Sequence, residues 1–419
     1  MPATWKETLD RAHFEALDES DPLAPYRARF ELPSGLLYFD GNSLGPLPLS
    51  AKERIRQVTE EQWGQDLIAS WNKHDWIDLP RGVGEKIAPL VGAHADEVVV
   101  CDSVSVNLFK LLSAAIRLRG RPFVLCQEDH FPTDRYIAQG LVDLLRGSFQ
   151  LVPFAIDRLD KTLTRETAVV CLSHVDFRSG RLEAMAELTR RIQAKGAYAL
   201  WDLSHSAGAL PVELEACRVD FAVGCGYKFL NGGPGAPSFL YVARRHQEAV
   251  RTPLQGWLGH RDPFAFDTDY EPAPGAQRFV CGTPPILALA SLDSALDAFD
   301  GVDLAALREK SQKLGQLFLR LVDQECRTIA PDLRPACPRN ADRRGSQVTL
   351  RHPEGYNIMQ ALIARGVVGD FRAPDLLRFG LTPLYQRYVD VYDAVGALRQ
   401  VLESAEYRDE RFRRRGKVT

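Results

Sequence analysis

The sequence predicts an α/β fold, with a parallel sheet of seven short strands covered by helices and a smaller α+β domain after it. Two observations carry this. From about residue 85 to 245, short apolar, β-branched runs alternate with amphipathic stretches of helical period, the pattern of a sheet with helices packed on its faces. Beyond residue 295 the chain changes to helix-rich segments with a few strand-like pieces.

In chain order, the first strand is expected at Glu97–Cys101. Ser105–Arg119 follows as a helix, because Val106, Leu108, Phe109, Leu111, Leu112 and Ile116 fall on one broad face and Ser105 can cap its start. Phe123–Cys126 reads as strand, Thr133–Leu145 as helix, and Leu151–Ala155 and Ala168–Leu172 as strands. Leu182–Ala194 is then a helix, and Tyr198–Leu203, Phe221–Gly224 and Ser238–Val242 complete the strands. In the last third, Leu304–Glu325, Gly355–Arg365 and Val391–Ala405 have helical period, while Gln347–Leu350 and Leu376–Phe379 read as strands. The expected domains are an N-terminal arm and helix over 1–70, a large domain over 71–295 and a small C-terminal domain over 296–419. The Pro/Gly-rich stretch Glu271–Pro285 marks irregular structure before the last of them.

Composition bounds the function. The 419 residues are 45% hydrophobic and 26% charged, enough for a sizeable core. The 52 basic and 55 acidic residues leave a net charge of -3, which argues against an electrostatic nucleic-acid binder. A local basic cluster at Arg411, Arg413, Arg414, Arg415 and Lys417 reads as a solvated end. The eight cysteines form no Cys-x-x-Cys pair and have no histidines at zinc spacing, so no metal site is expected. Several lie in apolar runs, as buried thiols do, and reduced thiols suit a cytoplasmic protein. Met1–Asp18 lacks the pattern of a signal peptide, and no stretch is apolar enough to span a bilayer.

The strongest chemical signal is Trp201-Asp202-Leu203-Ser204-His205-Ser206-Ala207-Gly208 followed by Gly226-Tyr227-Lys228-Phe229. In open parallel sheets the ligand lies beyond the carboxyl ends of the strands, where both segments fall. An aspartate at the end of a buried strand needs a cationic or donor partner, and a protonated pyridine nitrogen is one. A lysine after the next strand is placed to form an imine with an aldehyde, and burial would help keep it neutral. Together they match the way a carboxylate and a lysine hold pyridoxal phosphate.

At these residues the chain resembles the fold-type I pyridoxal-phosphate enzymes of the class V aminotransferase branch, and within it the kynureninases. The resembling segments run nearly end to end: Tyr38–Pro46, Ser105–Leu108, Phe131–Asp134, Trp201–Gly208, Tyr227–Gly235, Gly256–His260, and Arg378 before Thr382-Pro383-Leu384-Tyr385. The resemblance implies a large domain with a mainly parallel seven-stranded sheet, pyridoxal 5'-phosphate as cofactor, and hydrolysis of L-kynurenine to anthranilate and L-alanine in tryptophan catabolism. It extends to 3-hydroxykynurenine, with the plain substrate preferred. It also implies a homodimer whose active sites are shared between subunits.

For the site, the resemblance implies that the backbone of Val104, the hydroxyl of Ser105 and the phenol of Tyr227 hold the cofactor phosphate, as a helix start suits an anion. Trp257 and Thr283 would reach it from the partner subunit. Phe131 would stack on the ring, with Pro132, Thr133 and Ser173 around it and Asp134 and His205 beside Asp202. Arg378 would take the substrate α-carboxylate through its planar fork. Trp71, His74, Gly282 and Thr283 would line the aromatic pocket. Lys228 would take the Cα proton and Tyr227 protonate the fragment that becomes alanine, with Asp202 holding the ring nitrogen.

Two other readings stay open. A cysteine desulfurase or selenocysteine lyase of the same branch needs a mobile nucleophilic cysteine, for which Cys326 and Cys337 are the candidates in the C-terminal domain. A non-catalytic relative would be expected to lack the lysine, the aspartate or the arginine, and all three are present.

Overall fold

A computed structural model describes residues 9–416; the first eight residues and the Lys417 of the basic cluster lie outside them. The chain divides into two compact units. The larger comprises Ser43–Phe177 and Arg181–Gly301, and the smaller Met1–Asn42, Arg178–Gly180 and Val302–Thr419. The segment 1–70 is therefore divided between the units.

The larger unit is built on a seven-stranded sheet. Numbering only its strands, these are β1 Val98–Val100, β2 Phe123–Gln127, β3 Gln150–Phe154, β4 Thr167–Ser173, β5 Tyr198–Asp202, β6 Phe221–Cys225 and β7 Ser238–Val242. Their order across the sheet is β1-β7-β6-β5-β4-β2-β3. β7 runs antiparallel to β1 and β6, and the pairs from β6 to β3 are parallel. The central strands are buried on both faces, which is why they read as continuous apolar runs. Helix Val104–Arg119 covers one face through Leu108, Leu111, Leu112 and Ala115, in one cluster with Val169, Leu200, Val223 and Leu240. Each such leucine contributes roughly 1.5–3 kcal/mol of burial.

In the larger unit two helix starts differ from the sequence reading in a way that has a physical reason. Ser103, not Ser105, caps helix Val104–Arg119, accepting the Val106 N–H at 3.4 Å; Ser105 lies inside the first turn. The helix expected at Leu182–Ala194 starts only at Met185. Leu182 is extended, bridged to Val175, and Glu183 donates its N–H to the His174 carbonyl.

The smaller unit has a four-stranded antiparallel sheet in the order Arg334–Pro335, Gln347–Arg351, Leu376–Gly380, Asp370–Arg372. Helices Leu304–Glu325, Gly355–Ala364 and Tyr388–Ser404 pack with it around Leu314, Phe318, Ile358, Leu377, Phe379 and Leu398. The last helix begins three residues before the apolar period. Asp18 accepts the N–H groups of Tyr388 and Val389 at 2.6 and 3.0 Å, supplying a cap from across the unit. Arg411, Arg413, Arg414 and Arg415 are exposed. Among the described residues no helix is long and apolar enough to cross a membrane, and no cluster of His, Cys, Asp or Glu is placed to hold a metal ion.

Candidate active site

The larger unit contains a cavity of about 620 Å³ at the carboxyl ends of the parallel strands, where such sheets bind ligands. Its lining includes the expected residues Val104, Ser105, Phe131, Thr133, Asp134, Ser173, Asp202, His205, Tyr227 and Lys228. Segments scattered over more than a hundred residues of sequence meet there because each follows a strand of one sheet.

Asp202 ends β5, paired with Ser173 of β4 on one side and Val223 of β6 on the other. Its Oδ1 accepts the Ser204 N–H at 2.8 Å, turning the chain away from the strand. Burial pushes its carboxyl up to about 6, with the Asp134 charge adding to the effect. Asp202 forms no salt bridge among the described residues, so a buried carboxylate in the cavity wall has no fixed cation.

Lys228 lies past the end of β6 and is half-buried rather than buried. Its Nζ is 3.0 Å from His205 Nε2 and 5.9 Å from the centroids of both the Phe131 and Tyr227 rings. The turn is held from the N-terminal segment. Gly45 donates its N–H to the Tyr227 carbonyl at 2.9 Å, and a Cβ on Gly45 would stand 2.5 Å from the Lys228 carbonyl oxygen. That close approach explains a glycine in the Tyr38–Pro46 segment. Burial raises the Tyr227 phenol, so it keeps its proton at neutral pH.

The anion end of the cavity is the start of helix Val104–Arg119, with Ser103, Val104 and Ser105 in the lining. Asp102 precedes it with φ of +49°, a conformation aspartate tolerates better than most residues. Lys110, fully buried, holds it at 2.5 Å and also donates to the Phe279 carbonyl. Asn107 donates to the Cys101 carbonyl and to Ser238 at 2.7 and 2.6 Å, fixing the helix to the ends of β1 and β7.

On the opposite wall Phe131 is 44% exposed, so its ring stands in the opening with an edge contact to Phe177 at 5.2 Å. Phe177 also lines the cavity, as do Asp102, Ser103, Ser204, Cys225 and Gly235–Ser238, none of which the sequence reading assigned to the site. For Phe177 no sequence signal exists, whereas Ser204 and Gly235 were inside quoted segments. Pro132 is the first residue of helix Pro132–Leu144 and lies outside the lining.

The remaining expected residues fall elsewhere. Trp257, 39% exposed, packs edge-on against Phe264 at 5.8 Å, and Thr283 is exposed beside Gly282. Trp71 meets Trp76 edge-on at 5.8 Å, and His74 lies 2.7 Å from Asp66. In the smaller unit Arg378 is fully buried, as expected of its apolar strand. Its Nε and Nη2 form a fork onto Asp370, its cross-strand partner, with the Nε bond at 2.6 Å. Arg372 approaches the same carboxylate at 2.8 Å. Cys326 and Cys337, which a desulfurase reading would need mobile, are both buried. Burial pushes the Cys326 thiol up to about 12, the opposite of what a nucleophile needs.

The residues present fit pyridoxal phosphate. The buried Asp202 lacks the cation that a pyridinium N–H supplies, a helix start is set for an anion, and a lysine amine stands in the same cavity. The fold is also that of such enzymes. The cysteine desulfurase CsdA of Escherichia coli superposes with a TM-score of 0.75 at 18% identity, over 91% of this chain and 98% of that one. A mutant of C-DES, with glycine covalently linked to its cofactor, also scores 0.75 at 18% identity, over 94% and 99%. The protein thus has, in its larger unit, the fold-type I architecture, with a cavity whose groups fit pyridoxal phosphate.

Its family follows from the sequence relatives. The Kynureninase C-terminal domain family matches residues 307–398. Kynureninase of Burkholderia mallei strain SAVP1 is 48% identical over 411 residues, covering 96% of this chain and 98% of the relative. Kynureninase of Deinococcus radiodurans is 50% identical over 408 residues, covering 96% and 99%. The chain belongs to the kynureninase family, enzymes that hydrolyse kynurenine.

Proposed function

We propose that this chain cleaves L-kynurenine between Cβ and Cγ, giving anthranilate and L-alanine, with Lys228, Asp202 and Tyr227 as its working groups. The observation that carries this assignment is the buried Asp202 carboxylate, without a salt bridge, in the same cavity as the Lys228 amine. When bound, the cofactor supplies an electron sink for the pair left at Cα and Cβ.

The chain's own groups do the rest. Asp202 accepts the ring N–H and keeps that nitrogen protonated. The N–H groups of Val104 and Ser105, the Ser105 hydroxyl and the Tyr227 phenol hold the phosphate. Phe131 would stack on the ring, and Pro132, Thr133, Asp134 and Ser173 would help to hold it. Lys228 would carry the cofactor, and its free amine would take the Cα proton and later return one to the alanine fragment; His205, 3.0 Å away, orients its Nζ. Tyr227, kept protonated by burial, protonates the fragment that leaves as alanine. Water supplies the oxygen and proton that complete anthranilate.

Arg378 is assigned to the substrate α-carboxylate. Its Nε and Nη2 form a fork onto Asp370, which fixes the plane of the guanidinium. Trp71, His74, Gly282 and Thr283 are assigned to the aromatic pocket, with kynurenine preferred over 3-hydroxykynurenine. We further infer a cytoplasmic homodimer, in which Trp257 and Thr283 complete the partner subunit's site. Their exposure and their place outside the cavity lining support that reading.

The test is direct. Purified protein with added pyridoxal phosphate is given kynurenine and 3-hydroxykynurenine in parallel, and anthranilate fluorescence and alanine are followed. Stoichiometric release of both products from kynurenine is expected. Absence of turnover in a cofactor-loaded protein refutes the assignment.

A further inference from the structure

Behind the cavity wall lies a buried histidine to which the mechanism gives no task, paired with an aspartate of the lining. His130 and Asp134 are four residues apart, each side chain 1% exposed, with Nδ1 2.5 Å from Oδ2. Asp134 lines the cavity and His130 does not. His130 Nε2 is buried without a hydrogen-bond partner among the described residues, so this ring's one polar contact there is the carboxylate in front of it. The site therefore holds two buried carboxylates, Asp134 and Asp202, of which only the first is in a salt bridge. Neighbouring buried carboxylates disfavour each other's ionisation.

We propose that His130 is a positioning residue whose positive charge neutralises Asp134, so that Asp202 alone presents an uncompensated charge to the pyridine nitrogen. The inference rests on the reading of Asp202 given above. The groups facing the pair are the Cys126 thiol on β2, the Cys171 thiol opposite it on β4, and Asp202 on β5, with Arg135 next to Asp134 on the helix. Burial alone would lower the imidazole, but the Asp134 carboxylate outweighs it and holds His130 up to about 9. His130 is thus a cation at neutral pH. Asp202, at about 6, is then ionised there despite its burial.

Removing the His130 charge exposes Asp202 to the full Asp134 charge. Asp202 then keeps its proton to higher pH and cannot pair with a protonated ring nitrogen until the pH rises further. The measurement is the dissociation constant of pyridoxal phosphate from the ligand-free protein, by tryptophan fluorescence between pH 5.5 and 8.5. The cofactor's own titrations are common to every variant and drop out of the comparison. His130→Leu should move the pH midpoint of tight binding upward by about one pH unit, weakening binding on the order of ten-fold below it. His130→Gln keeps a donor for Asp134 without the charge, guards against a folding failure, and should move the midpoint the same way. Adding Asp134→Asn to either variant should return the midpoint to the wild-type position or below.

Wild-type midpoints in both single variants would overturn the proposal. So would double variants as displaced as the single ones, because the role would then be packing and not charge. Asp202→Asn, measured alongside, separates the two levels. If it binds cofactor like wild type, the reading of Asp202 fails and this inference with it; if it weakens binding while the His130 variants do not, His130 alone is misassigned.

Discussion

Replacing Asp202 by asparagine tests the site through stability and affinity together. The substitution keeps the shape and an oxygen to accept the Ser204 N–H now held at 2.8 Å, but removes the charge. In the ligand-free protein the carboxyl titrates at about 6 against 3.8 for a free side chain. The difference is about two pH units, so holding the charge there costs roughly 3 kcal/mol. The folded-state value lies above the unfolded one, so the aspartate's contribution to stability is fully present below 3.8 and lost as pH rises through about 6. At pH 7.5 the ligand-free Asp202→Asn protein should accordingly be more stable than wild type by up to about 3 kcal/mol, and near pH 3.5 the gap should close. Pyridoxal phosphate should reverse the order. Its pyridinium relieves the cost in the wild type alone, so the variant should bind cofactor up to about 100-fold more weakly, the same energy read as affinity. Thermal unfolding with and without cofactor, and fluorescence titration at pH 7.5, measure both. A variant no more stable than wild type without cofactor, and equally tight in binding it, would show that Asp202 is neither strained nor the ring's partner.

Three other substitutions probe separate parts of the site. Lys228→Ala should abolish turnover of kynurenine and leave no borohydride-reducible linkage of cofactor to protein; a retained linkage in the variant places the attachment elsewhere. Gly45→Ala sets a methyl 2.5 Å from the Lys228 carbonyl oxygen, so the lysine turn must shift. Its kcat should fall by at least about ten-fold, roughly the cost of a misplaced catalytic group, while far-UV circular dichroism stays unchanged; normal kcat would show that the turn does not need this approach. Arg378→Ala should raise KM for kynurenine and, by taking the forked guanidinium away from the buried Asp370, destabilise the protein by less than the about 3–5 kcal/mol of a fully broken buried pair, because Arg372 still reaches that carboxylate at 2.8 Å. Adding Asp370→Asn should restore much of the stability but not KM, and recovery of both would assign Arg378 a structural role alone.

The alternation of apolar runs and helical periods was legible because strands buried on both faces must be apolar throughout. It placed every strand of the large sheet to within two residues, and with it the edge where Asp202 and Lys228 meet. The carboxylate and the lysine could be named because each follows such a run and because few arrangements give a buried aspartate a use. Sequence also showed Arg378 as a charge too deeply set to stand unpaired. It did not name Asp370 as the partner, since eight residues separate them and only the register of two antiparallel strands brings them opposite. The cap of the last helix by Asp18 and the edge contact of Phe177 on Phe131 were decided in the same way. Periodicity reports how one element is buried, whereas a side chain's partner depends on how elements far apart in the chain are brought into contact, and only the packed tertiary structure fixes that.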